Sequence, residues 1–261
     1  MSSAKILVIL EGEQLEGNTL ARLQRAFPDE LADFSEDLVK IVYTSNIYAL
    51  YNALKEDNEF LDVVEVLKER FPSNDSLQNI QRDEVSQIFL FFDLDIHGTS
   101  LEDSCKQLSE LLEFFDNETE NGKLFLSYPM VESINICDST TGLMFDDRKF
   151  FKIEDCRDDG FKNFVNDLNR DSKNICRANS QENWTKICKF NYEKAQWLKD
   201  GYLDNLETTL KEMTQLSIFE SQTTFMLGEG TIATLSAFPF FFLEYLGVQK
   251  TVEVLHLKEL P

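Results

Sequence analysis

Val85-Ser86-Gln87-Ile88-Phe89-Leu90-Phe91-Phe92 runs straight into Asp93-Leu94-Asp95-Ile96-His97-Gly98. An apolar run of this length, β-branched and aromatic, reads as a buried strand. Residues i and i+2 of a strand share a side. Asp93 and Asp95 are therefore expected to converge where the strand stops and the backbone opens, the place where open α/β sheets form their sites. Two carboxylates aimed at one point repel each other unless a cation lies between them, so a divalent metal is the simplest expectation.

The start of the chain carries a matching signal. Lys5-Ile6-Leu7-Val8-Ile9-Leu10 is a second short apolar run, and it ends in Glu11-Gly12-Glu13, with Glu16 and Gly17 following. A helical pattern then covers Thr19 to Phe27. If the two strands are parallel neighbours, Glu11 faces Asp93 and Asp95 across one crevice. Glu13 and Glu16 lie close enough in sequence for one of them to join the site, or to be solvated acids of a first helical turn.

A strand ending in Glu11-Gly12, followed by a strand ending in Asp93-Leu94-Asp95-Ile96-His97-Gly98, resembles the Toprim domain over roughly residues 4 to 135. That domain occurs in topoisomerases, bacterial primases and nucleases of the OLD and RloB-like kinds. The resemblance implies an α/β fold: a Toprim-like, Rossmannoid parallel sheet flanked by helices. It also implies Mg²⁺ or Mn²⁺ held by Glu11, Asp93 and Asp95, and hydrolysis of phosphodiester bonds in DNA or RNA. Glu132, after the strand Lys123 to Tyr128 and Pro129, stands where the resembling nucleases often carry a further acid. It becomes an additional ligand or a positioner for a second metal; the competing reading is a helix N-terminal acid after Pro129. Asp93 and Asp95 have their own alternative, as turn residues with Asp95 capping a helix. Small stand-alone proteins of this kind are often bacterial or phage-defence nucleases, some of them paired with an ATPase encoded alongside. This chain has no Walker A motif, so such an ATPase would be a separate partner. No tyrosine is placed to identify a topoisomerase nucleophile, and no zinc module of the primase type is present.

Between these motifs strands alternate with helices. Leu38 to Tyr43 reads as a strand; Tyr48 to Glu56 and Phe60 to Phe71 read as helices, the second stopped by Pro72. Leu101 to Phe115 is amphipathic, with Ser100 and Asp103 placed to cap it. Such alternation implies crossovers and a parallel sheet. Beyond residue 135 the pattern becomes mainly helical, at 161–170, 183–198, 205–215 and 233–246. The expected organisation is therefore a Toprim-like domain over 1–135 and a helical extension over 136–261 packed on it. His256, in the apolar run Val252 to Leu257, reads as a strand residue.

Composition narrows the classes. Hydrophobic residues are 43% of the 261, with 22 Phe, enough for a substantial core. No stretch is long and apolar enough for a bilayer, and Leu235 to Leu246 is interrupted by Pro239 and Glu244. The start shows no basic-then-apolar leader. The five cysteines form no CxxC pair, so a zinc cluster or disulfide framework is not expected and a reducing cytoplasm is. Hard oxygen ligands without a Cys or His cluster select Mg²⁺ or Mn²⁺. His97 reads as a phosphate or metal contact, or as a surface turn residue. Lys123 and Lys194 read as transition-state stabilisers, or as ordinary surface lysines.

The net charge of −22 opposes binding to a phosphate backbone. A bound dication can dominate its own neighbourhood despite that, and a basic partner could supply the binding surface. The other class compatible with the charge is a non-catalytic interaction protein or nucleic-acid mimic on the same scaffold. A flavodoxin-like signalling receiver is a third class, which the Glu11-Gly12 start and the helical tail fit poorly.

Overall fold

The computed structural model describes residues 4–56, 59–96, 100–136, 150–156, 160–171, 180–202 and 205–257. The strands in chain order are β1 (Lys5–Leu10), β2 (Leu38–Val42), β3 (Lys55–Glu56), β4 (Glu59–Phe60), β5 (Val85–Asp93), β6 (Asp116–Asn117), β7 (Gly122–Ser127), β8 (Phe150–Lys152) and β9 (Thr231–Ala233). The first six helices are α1 (Leu15–Ala26), α2 (Ala32–Glu36), α3 (Ile47–Leu54), α4 (Val63–Arg70), α5 (Asp75–Gln78) and α6 (Leu101–Phe114). The remainder are α7 (Gly160–Asp171), α8 (Gln181–Asp200), α9 (Leu206–Leu210), α10 (Gln215–Glu229), α11 (Ala237–Leu246) and α12 (Val248–Val254).

Five strands form the main sheet in the order β2-β1-β5-β7-β6. β2, β1, β5 and β7 are mutually parallel, and the two-residue edge strand β6 is antiparallel to β7. The chain is thus α/β, with a mostly parallel sheet flanked by helices. β1 and β5 are buried almost end to end, as strands covered on both faces must be. Alternation along β5 divides its side chains between two layers. Phe89 and Phe91 meet Phe241 and Phe238 of α11, with Phe91 and Phe238 stacked at 4.9 Å. Phe92 meets Tyr43 just beyond β2 at 6.2 Å. Phe241 also contacts Phe34 of α2 and Phe125 of β7.

The C-terminal region is therefore a structural layer of the sheet. A single buried cluster runs from Ile6 to Leu255 and includes Trp184, Phe219 and Phe238 with the strand residues. Tyr128, just past β7, forms an antiparallel bridge with Leu235, and Leu235 N donates to Tyr128 O at 3.0 Å. β8 and β9 pair as a separate antiparallel ribbon. Gly122 opens β7 at φ 112°, and a Cβ there would stand 2.5 Å from Leu90 Cδ1. Only glycine fits that close strand approach.

Local signals explain the ends of several helices. Ser100 caps α6 by accepting from Asp103 N at 3.1 Å, and Asp62 caps α4 by accepting from Val64 N at 2.8 Å. Several expectations need correction. The helices expected over 48–56 and 60–71 are shorter: α3 ends at Leu54 and α4 starts at Val63, with Lys55–Glu56 and Glu59–Phe60 paired as a short antiparallel ribbon. The segment 233–246 is not one helix: Thr231–Ala233 is a strand, and α11 starts only at Ala237. The expected helix over 205–215 shortens to α9, with α10 beginning at Gln215. His256 does not sit in a strand; it follows α12 at φ 51°. Among the described residues no helix is long and apolar enough to cross a membrane.

Candidate functional site

β1 and β5 lie side by side with Leu10 opposite Phe91, so both strands end at one edge of the sheet. Glu11 N donates to Phe91 O at 3.0 Å, which lays Glu11 along the end of β5. Its Oε2 then accepts from Asp93 N at 2.9 Å. Asp93 Oδ1 in turn accepts from Val131 N at 2.7 Å. Leu94 N donates to both Ser127 O and Pro129 O, at 2.9 and 3.1 Å. The stretch from Ser127 to Val131 is thereby folded over the end of β5. Glu132 follows in the first turn of a 3₁₀ segment, Val131–Asn135. Across the edge, Thr44 N donates to Glu11 O at 3.0 Å with Thr44 held at φ 56°. A β-branched residue rarely adopts that conformation, and such outliers concentrate at functional sites.

The electrostatics of this edge are unusual. Burial pushes Asp93 well above the ordinary carboxylate range, and the charges of Glu11, Glu16 and Glu132 push it further; only the Val131 N–H pulls the other way. Glu16, in the first turn of α1, is only 7% exposed. Its carboxyl is also raised, first by burial, with Glu132 adding; backbone N–H groups at Glu16 and Gly12 and the Lys162 ammonium of α7 oppose the rise. A Cβ on Gly12 would come within 3.0 Å of Glu16 Oε2, so glycine is what lets that carboxylate close onto the loop. Glu132 Oε2 is buried with no hydrogen-bond partner among the described residues. Charged oxygens buried without compensation are costly.

A cleft of about 430 Å³ opens beside these groups. Glu11, Asp93 and Asp95 line it. Asp95 O accepts from Tyr48 OH at 2.9 Å. The Tyr48 phenol is raised by burial first and by the Asp95 charge second. Leu94, Ile96, Pro129 and Met130 give the cleft apolar surface from the sheet edge, and Ile153, Cys156 and Ile232 add surface from the C-terminal region. Burial, with the charge of Asp155, pushes the Cys156 thiol up to about 12, so it is protonated and inert at neutral pH.

The structure brings Glu11, Asp93 and Asp95 to one cleft and puts Glu132 near enough for its charge to act on Asp93. Glu16 belongs with them. Its sequence signal was only its nearness to Glu11, which a solvated acid of a first helical turn shares. His97 and Gly98 lie outside the described residues. Lys123 is the second residue of β7, while Ser127 at the far end of that strand pairs with Asp93, so Lys123 stands away from the acids; it is ion-paired with Glu244 at 3.1 Å. Lys194 is not a surface lysine: it is fully buried, donates to Thr234 Oγ1 at 3.0 Å and lies over the Phe150 ring.

The donor set can be tested against a hard dication. Its chemistry fits, since carboxylate oxygens are what Mg²⁺ and Mn²⁺ select, and the crowding of Asp93 and the orphaned Glu132 oxygen are what a cation would relieve. The arrangement is not a closed cage: among the described residues no group of three or more His, Cys, Asp or Glu side chains is set to hold an ion. Glu11 and Asp93 each accept a backbone N–H on one carboxylate oxygen. No family model, curated protein or solved structure matches the chain.

Proposed function

We propose that the chain is a divalent-metal-dependent phosphodiesterase acting on nucleic acid, DNA or RNA, built on a Toprim-like scaffold. One observation carries the reading: a half-buried Asp93 at the carboxyl edge of a parallel sheet, its proton affinity raised by desolvation and by three further acids, opening on a cleft. Acids arranged for stability alone are separated or paired with cations; here they are concentrated, as they are at catalytic sites.

Glu11, Asp93 and Asp95 would hold Mg²⁺ or Mn²⁺, with Glu132 as the auxiliary acid. The chemistry such an ion supplies is activation of water and neutralisation of charge on a phosphate under attack. The protein's own contribution is placement. The Asp93 N–H fixes Glu11 Oε2, and the Val131 N–H fixes Asp93 Oδ1, so neither carboxylate has to be reoriented when substrate arrives. Burial raises the proton affinity of the Glu16 carboxyl beside these acids. Leu94, Ile96 and Met130 give part of the cleft an apolar surface. With a net charge of −22, delivery of nucleic acid falls to a basic or ATPase partner.

The test is cleavage of labelled DNA and RNA strands with Mn²⁺ or Mg²⁺. Asp93→Ala is expected to lower the rate on the order of 10³-fold, about 4 kcal/mol in the barrier. Equal rates for the variant and the wild type would remove the catalytic assignment. The second reading, a non-catalytic acidic interaction protein or nucleic-acid mimic, is favoured by the net charge and by the unclosed arrangement of donors. Thermal melting separates the two, because an ion that binds the folded state raises the midpoint. The enzyme reading expects a rise with millimolar Mn²⁺ that Asp93→Ala abolishes; the interaction reading expects none.

A further inference from the structure

We propose that the cleft receives the base of an unpaired nucleotide, so that the substrate is a single strand or a frayed strand end and not intact duplex. This rests on the phosphodiesterase reading and adds a substrate class to it.

Nucleic-acid affinity usually comes from Lys and Arg on phosphates. Among the described residues the lining has no Lys or Arg, three of its side chains are acids, and the protein as a whole carries −22. The described lining therefore favours a part of the substrate other than its phosphates. The remaining surface is apolar: Leu94, Ile96, Pro129, Met130, Ile153 and Ile232. The only extensive apolar surface of a nucleotide is the face of its base, and duplex keeps that face stacked and hidden. A single strand exposes it.

Size and rigidity agree. A volume of about 430 Å³ falls in the range that encloses one small molecule, roughly 300–1,000 Å³. The part of the lining from the C-terminal region is fixed in advance. Ile232 is held in the β8–β9 ribbon opposite Phe151, and Ile153 N donates to Gly230 O at 2.9 Å. Gln222 clamps the next residue, Ala233, from both sides: its Nε2 donates to Ala233 O at 2.7 Å and its Oε1 accepts from Ala233 N at 3.0 Å. A preformed wall binds without an ordering penalty. Among the described residues the lining carries no side-chain amide or hydroxyl, and its three carboxylates are committed to the ion, so little is left to read base edges. Any of the four bases is accepted, and sequence preference is weak.

The experiment uses the full chain with Mn²⁺ and three forms of one oligonucleotide: single strand, duplex, and a strand in which every base is replaced by a stable abasic unit. DNA and RNA versions of the first two are run in parallel. The single strand is expected to be cut at least tenfold faster than duplex, and at least tenfold faster than the abasic strand, with the difference in KM. Ile153→Ser, at a half-buried position, is expected to shrink the base-bearing to abasic ratio severalfold; Met130→Ser provides a second probe of the same ratio. Duplex cut as fast as single strand, or a ratio unmoved in both variants, overturns this inference while leaving the phosphodiesterase reading in place. A wild type that cuts no substrate overturns both.

Discussion

The acid edge of the sheet and the polar seam between α8, α10 and the 231–239 segment are both buried, and they treat buried polarity in opposite ways. Along the seam, polar side chains are matched to backbone groups. Gln222 takes both the N–H and the C=O of Ala233, Asn191 Oδ1 accepts from Ser236 N at 2.8 Å, and Tyr192 OH donates to Pro239 O at 2.7 Å. The orphans left there, such as Gln196 Oε1 and Ser236 Oγ, are neutral. At the acid edge the orphan is a carboxylate oxygen of Glu132, and the neighbours of Asp93 are like charges. The seam spends its polar groups on holding α11 and β9 in place. The edge gathers like charges around Asp93 and leaves one Glu132 oxygen without a hydrogen-bond partner among the described residues, the feature on which the proposed function draws.

This contrast can be broken from either side. The largest effect is expected in activity: Asp93→Ala abolishes metal-dependent cleavage, on the order of 10³-fold, in the strand assay described above. Next comes the seam. Gln222→Leu leaves the buried N–H and C=O of Ala233 without their partners and is expected to cost about 2–4 kcal/mol, measured by urea unfolding. An unchanged midpoint would mean that water replaces the amide and that the seam is not what holds β9.

The third effect has the opposite sign. Asp93 binds its proton more tightly folded than unfolded, so between the ordinary carboxylate range and its raised value the native state carries the extra proton. Stability contributed by Asp93 is therefore present at low pH and lost as pH rises. Asp93→Asn, which keeps an acceptor for Val131 N and cannot ionise, is expected to raise Tm by about 2–4 °C at pH 8 in the absence of metal. The gain should shrink toward zero as pH falls to about 4, where the unfolded-state carboxyl is itself protonated. A destabilised variant at pH 8 would show that the acids are already compensated. The smallest effect is the control: Lys186→Ala breaks an exposed i,i+4 pair with Glu182 and should change stability by no more than about 0.5 kcal/mol.

The acid edge was easier to read in the sequence than the seam. Asp93 and Glu11 end long apolar strands, and a strand end fixes where the next side chain sits, so their meeting follows once β1 and β5 pair. Val85 to Phe92 is too apolar and Leu101 to Phe115 too regular to be misread. The C-terminal lining of the cleft was invisible because β8 and β9 are three residues each, too short to show alternation. Thr231-Ile232-Ala233 abuts the α11 run and merges with it in any hydropathy pattern. The β-branched stretch at Val252 imitates a strand, yet tertiary packing of Thr251, Val252 and Val254 makes it helical. Burial of Lys194 and Glu16 likewise depends on partners far away in sequence, which no local pattern encodes.

The bridge between Tyr128 and Leu235 has a bearing on synthesis. More than a hundred residues separate its two sides, and the rings of Phe238 and Phe241 that cover Phe89, Phe91 and Phe125 lie beyond it. During translation the strands leave the ribosome first and wait, with one aromatic face bare, until that late segment emerges. At elongation rates of about 5–20 residues per second, the wait lasts about 5–20 seconds. Over that interval the nascent chain has every reason to recruit a chaperone or to stick to a neighbour on the same polysome.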